Sequence, residues 1–196
     1  MALPTYIVNL LEDDELGGFK FSALVKNPAI QVDGYNGKFV AFAESQEIRF
    51  AVSDEDKHII SGPLLLADVP IYRNDSNGEY NIIVSSKSTP YILQKLFRDT
   101  LIKAVNIDHD PSKVVDGVYM FEAFLIDRKR MTPPVGYETL TDGSIFVSYK
   151  VDNEKVWSDI KAGNYEGFSF EGLLMPTEKT SLEDNILNQI KKILQS

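Results

Sequence analysis

Ser169 sits in the run Gly167-Phe168-Ser169-Phe170-Glu171-Gly172. In an extended strand successive side chains face opposite ways, so Phe168 and Phe170 share one face and Ser169 and Glu171 the other. The flanking glycines carry no side chain that would obstruct another backbone. A serine hydroxyl in such a place becomes a nucleophile only when a base stands beside it. The chain holds two histidines, His58 and His109. His109 lies in Asn106-Ile107-Asp108-His109-Asp110, between carboxylates that keep an imidazole basic near neutral pH, as a general base requires. His58 follows the acidic run Ser53-Asp54-Glu55-Asp56-Lys57 and reads as a solvated side chain. Each residue also has a plain reading: a strand serine without chemistry, and a histidine exposed in a polar turn.

Glu122 is the carboxylate that stands out. It interrupts Val118-Tyr119-Met120-Phe121-Glu122-Ala123-Phe124-Leu125-Ile126, a run apolar on both faces. A buried carboxylate without a partner costs several kcal/mol, so it is expected to have a partner or a task. Orienting a histidine would supply both, because the carboxylate fixes the imidazole tautomer. A buried pair with Arg or Lys is the structural alternative, and Asp108, Asp110 and Glu171 are the other candidates for that orienting position.

Composition removes other chemistries. With no cysteine among its 196 residues, the chain has no disulfide, thiolate nucleophile or cysteine metal site. Two histidines are too few for a histidine zinc site without carboxylate help, and no HExxH, Walker-type loop or GxGxxG occurs. We therefore expect no cofactor and no metal. A formal charge of −9, with no basic block beyond Arg128-Lys129-Arg130, repels phosphates and anionic membranes. No nucleic-acid or membrane partner is expected. No apolar run approaches the ~20 residues that span a bilayer, and the first residues lack the marks of a secretory signal. A cytoplasmic setting is the expectation.

The elements that must position these residues read as mainly β. Turn dipeptides Asn27-Pro28, Asp33-Gly34 and Asn36-Gly37 break residues 5–50 into strands. His58 to Tyr72 is a long extended segment interrupted at Gly62-Pro63 and at Asp68-Val69-Pro70. A helix begins near Pro90, capped by Ser88 or Thr89, with Ile92, Leu93, Leu96, Phe97 and Leu101 at helical spacing. An extended stretch leads to His109, a strand covers residues 117–126, and a long polar loop follows. Strand Ser144–Val151 then leads to a short helix capped by Asp152 and ended by Gly163. Tyr165–Met175 is the last strand. Beyond Pro176, Leu182, Ile186, Leu187, Ile190, Ile193 and Leu194 form the stripe of an amphipathic helix. The order predicts an α+β fold, mainly β, as a barrel or strongly curved sheet flanked by helices.

Four stretches carry a resemblance to the phage serine proteases of the XkdF type, within the prohead proteases related to herpesvirus assemblin. They are Leu24 to Ile30, similar to "V-x-N-P-A-I"; Ser61 to Arg73, similar to "sGpllipd.piyR"; His109 to Ile126, similar to a histidine followed by "vEsfii"; and Gly143 to Gly172, similar to "GtwfvsykV" through "GfSiEG". Their order and spacing cover about residues 20–175. The resemblance departs at Ser144-Ile145, where relatives often carry an aromatic after the glycine.

What the resemblance implies is an assemblin-like β-barrel core flanked by helices and a serine endopeptidase with Ser169 as nucleophile, His109 as base and Glu122 in the third position. Residues 1–178 would be the protease domain and 179–196 an amphipathic helical tail. The implied substrates are scaffold protein, the major capsid protein and the enzyme itself, processed during maturation inside the prohead in the host cytoplasm. Contact with the portal and a homo-oligomer are further expectations. A non-catalytic prohead structural protein that keeps the barrel is the competing class, and an unrelated β-barrel hydrolase a third.

Overall fold

The computed structural model describes residues 3–10, 18–26, 50–75, 78–173 and 178–180. The turn dipeptides at 27–37 and the apolar stripe at 182–194 lie outside these residues. In chain order the described elements are β1 Thr5–Val8, β2 Gly18–Val25, β3 Ala51–Asp54, β4 Ile59–Leu65, β5 Pro70–Asp75, β6 Gly78–Val84, α1 Thr89–Arg98, a single 3-10 turn Leu101–Lys103, β7 Val105–Ile107, β8 Asp110–Val114, β9 Val118–Leu125, β10 Ile145–Val151, α2 Glu154–Lys161, β11 Gly167–Leu173 and β12 Glu178–Thr180. The class is α+β and mainly β. The described strands make three four-stranded sheets, ordered β12-β1-β6-β5, β3-β4-β10-β9 and β11-β2-β7-β8, rather than one closed barrel. β12 pairs with β1 in antiparallel register.

Alternation decides what each strand buries. Val147, Tyr149 and Val151 of β10, Ile60 and Leu64 of β4, Leu24 of β2 and Phe168 and Phe170 of β11 meet in one apolar cluster, joined by Ile92 and Leu96 of α1 and Trp157 of α2. Each such side chain contributes about 1.5–3 kcal/mol through removal from water. The opposite face of β10 places Phe146 in a smaller cluster with Leu66, Ile126 and Leu140. One polar bond crosses the main cluster: the Tyr149 hydroxyl donates to Ser22 Oγ on β2 at 2.6 Å.

The helix ends differ from expectation in instructive ways. Pro90 opens α1 as predicted, but the Ser88 hydroxyl does not cap it. It accepts the Leu10 N–H at 2.8 Å and reaches Val8 O, so it pins the end of β1 to the helix. Asn153, not Asp152, caps α2 by accepting the Val156 N–H at 3.1 Å. Asp152 is engaged elsewhere, 2.7 Å from Lys150 Nζ. Gly163, with φ +73°, supplies the left-handed exit that the sequence called for.

Candidate functional site

Sheet β11-β2-β7-β8 carries both residues expected to do chemistry. Ser169 pairs with Ala23, and Ala23 pairs with Asn106 in parallel register. In-register neighbours place their side chains on the same side of a sheet. Ser169, Ala23 and Asn106 therefore form a row on the face away from Phe168 and Leu24, which lie in the core. The row is closed to solvent: Ser169 is 2% exposed and Ala23 and Asn106 are 0% exposed. Two strand spacings put the Ser169 and Asn106 backbones about 10 Å apart, with Ala23 on the strand between them.

Asn106 is the site residue that sequence reasoning passed over. A signal was present, because asparagine is depleted in strands and here sits between Val105 and Ile107.

His109 stands at the tip of the β7–β8 hairpin. Ile107 and Asp110 face each other, and the two residues between them, Asp108 and His109, have φ of +50° and +60°. Such a two-residue turn needs left-handed backbone at both positions, which suits Asp and strains His by of order 1 kcal/mol. The imidazole is exposed. It lies three residues beyond Asn106, roughly 10 Å further along the strand direction at ~3.3 Å per residue. Among the described residues no hydrogen bond joins Ser169 and His109. One sheet brings them into the same neighbourhood without placing them in contact.

The hairpin tip does meet the start of β11. The Asp108 N–H donates to Leu24 O at 3.1 Å, and the Glu166 N–H donates to Val25 O at 2.9 Å, so both segments converge on the same end of β2. Burial first, and then the Asp159 charge, with a smaller push from Asp108, hold the Tyr165 phenol above the usual tyrosine range. Asp110 is committed to its own turn. Its carboxylate takes the Ser112 hydroxyl at 2.6 Å and the Ser112 N–H at 3.0 Å, and pairs with Lys113 at 3.1 Å. Those bonds, the Ser112 hydroxyl foremost, bring its pKa down to about 2.

Glu122 lies in a different sheet and is exposed, not buried as expected. The reason is a bulge. Ser148 pairs with Glu122 while Tyr149 pairs with Met120, so Phe121 is an extra residue and the alternation changes phase. Val118 and Met120 face the core before the bulge; Phe121 is 53% exposed. The partner found for Glu122 is Ser148, whose hydroxyl donates to Oε2 at 2.7 Å. Ser61 Oγ lies 2.9 Å from Ser148 Oγ, and Ser53 Oγ 2.9 Å from Ser61 Oγ. Each hydroxyl owns one hydrogen. Since Ser148 spends its hydrogen on Glu122, Ser61 donates to Ser148, and the Ser53 hydroxyl lies within reach of both Ser61 Oγ and, at 3.4 Å, Ile59 O. The row is a polarised ladder across β3, β4, β10 and β9 that ends on a carboxylate.

His58 also departs from its solvated reading. Its ring stacks on Trp157 with centroids 4.4 Å apart, and Nδ1 lies 3.3 Å from Val151 O. It is a packing residue between the β3–β4 turn and α2. Among the described residues no cluster of His, Asp and Glu has the form of a metal site. Within the same residues no helix is long and apolar enough to cross a membrane.

Among the described residues, fold and site together define a mainly β arrangement of three small sheets, with a buried serine–asparagine row beside a histidine-tipped hairpin. Compared with family models, with curated proteins and with solved structures, the chain matches none.

Proposed function

We propose that this protein is a serine endopeptidase of the prohead-maturation type, with Ser169 as nucleophile and His109 as general base. In the attack His109 takes the Ser169 proton as the hydroxyl adds to a peptide carbonyl. An acyl-enzyme forms and water releases it. The reading brings with it an assemblin-like barrel core, to which the described strands lend only the mainly β class. It also brings scaffold and capsid proteins as substrates, processing inside the assembling prohead, and a tail at 179–196 that engages scaffold or shell.

The observation that carries the proposal is the shared sheet. Residues sixty positions apart reach one end of β2 through the β11 and β7 pairings. Glu122 has no part in the proposed pair, because its carboxylate serves Ser148. The form described is a resting one, since a serine 2% exposed cannot meet a polypeptide until its face opens and the hairpin closes on it.

That same burial favours a second reading, a prohead structural protein that keeps the fold without catalysis. Co-expression with the capsid and scaffold proteins of the same assembly separates the two. Shortened capsid and scaffold chains with the parent protein, and full-length chains with Ser169→Ala, support the peptidase. Equal processing by both, or none by the parent, rejects it.

A further inference from the structure

We infer that the loop between β9 and β10 is a docking arm that holds the substrate polypeptide away from the cutting site, an assignment that rests on the peptidase reading above. Its neck is closed: the Gly143 N–H donates to Ile126 O and the Ile126 N–H to Ser144 O, each at 2.8 Å. A segment with its ends together and its interior packed by its own side chains is an Ω-loop, a form that recurs at binding sites. The Arg128 guanidinium braces it from within, bonding Asp142 Oδ1 at 2.6 Å, Glu138 O at 2.8 Å and Leu140 O. Leu140, 2% exposed, and Tyr137, edge-on to Phe146 at 5.0 Å, pack its base onto β10. The Tyr137 hydroxyl donates to Ser61 O at 3.1 Å.

On this braced base stands an apolar apex. The Tyr137 N–H donates to Pro134 O at 2.9 Å, and Gly136, with φ +86°, takes the left-handed position of a type II turn. Val135 is the corner residue and is 93% exposed, against 53% for Phe121 and Val114, the next most exposed large apolar side chains among the described residues. A turn already fixed in shape loses little freedom on binding, so burial of the valine converts to affinity with small loss. Charge does not choose the partner, because Arg128, Lys129 and Arg130 balance Asp127, Glu138 and Asp142. The occupant is therefore a polypeptide surface with an apolar hollow for one branched side chain. One such anchor falls far short of the ~800 Å² per partner that a stable dimer buries, so a second copy of this chain does not fit. It suits a substrate that docks, is cut and leaves. The loop packs on sheet β3-β4-β10-β9 and not on the sheet of Ser169, so it acts on capture rather than on bond breaking.

The test sets large substrates against a small probe, on the full chain. The large ones are the full-length scaffold and capsid proteins. The small one is a fluorophosphonate, which phosphonylates an activated serine and cannot reach the loop at the same time; Ser169 labelling is located by mass spectrometry. Val135→Ser is expected to lower kcat/KM for scaffold or capsid processing about tenfold, through KM, as loss of one partly buried aliphatic side chain implies. Its Ser169 labelling rate and thermal transition should match the parent's, and Val135→Ile should process within threefold of the parent. Val52→Ser, the same change at an exposed valine on β3, should process as the parent does. Processing by Val135→Ser within threefold of the parent overturns the inference and leaves the peptidase standing. So does an equal fall in processing and labelling, which puts the loop's effect at the reactive centre or in the fold. A parent that cuts neither protein overturns the reading and the inference together.

Discussion

The Tyr149–Ser22 bond tests whether β10 and β2 pack as described, because it is a directional contact through an otherwise apolar interface. The Tyr149 hydroxyl donates at 2.6 Å to Ser22 Oγ, and Ser22 has only a long contact of 3.5 Å to Ala104 O besides. Tyr149 is 1% exposed and Ser22 2% exposed, so water replaces neither partner. Tyr149→Phe loses one buried hydrogen bond and should cost about 1 kcal/mol. Ser22→Ala strands a buried phenol hydroxyl and should cost more, about 1–3 kcal/mol. The double variant removes both polar groups, so its cost should fall short of the sum by about 1 kcal/mol. Urea unfolding followed by Trp157 fluorescence measures all four proteins. Trp157 is the single tryptophan, 2% exposed and stacked on His58, so it reports loss of this core directly. In a chain of this size each kcal/mol moves Tm by roughly 2–4 °C. Burial also holds the Tyr149 phenol well above the usual tyrosine range, against a smaller opposing pull from Ser22, so it should stay protonated where exposed tyrosines ionise. A coupling below about 0.3 kcal/mol, within the error of additive sites, would show that the two sheets do not meet through this pair.

Three further outcomes are expected. Gly62→Ala places a Cβ 2.7 Å from the Phe50 Cα, a backbone atom that cannot swing aside, so it should destabilise by about 1–3 kcal/mol in the same unfolding assay. The Asp110 carboxylate, bound by Ser112 and Lys113, should titrate near 2 in a carbon-detected NMR experiment. Because its folded pKa is depressed, the hairpin's support is complete above about pH 4, the ordinary carboxylate value, and is lost as pH falls through about 2; Asp110→Asn should remove that acid dependence. Glu122→Gln separates two roles by the rate of Ser169 labelling. An orienting carboxylate would cost about 10⁴, whereas a partner of Ser148 predicts a rate within threefold of the parent, and the latter is expected.

The local grammar of the chain was legible residue by residue. Pro90 at the opening of α1, Gly163 at the exit of α2 and the alternation of Phe168 and Phe170 against Ser169 depend on backbone geometry and a two-residue period, which neighbours in sequence decide. The cap of α2 was misplaced by one residue because Lys150, on the preceding strand, claims Asp152. Glu122 was misread for a related reason. A bulge shows itself only in the register of two strands, so a carboxylate in an apolar run looked buried when the extra residue Phe121 had turned it outward.

What the amino-acid order determined alone was the mainly β class, the positions of α1 and α2, the absence of thiol chemistry and the short roster of groups able to act as nucleophile and base. Tertiary structure decided which of them are neighbours. Ser148, Ser61 and Ser53 reach Glu122 only because β3, β4, β10 and β9 align in one sheet. Asn106 shares a row with Ser169 only because β2, distant from both in the chain, lies between them with an alanine at the crossing. Strand pairing is a contact between remote segments, and its register is chosen by the summed packing of both faces, which no single stretch of sequence contains.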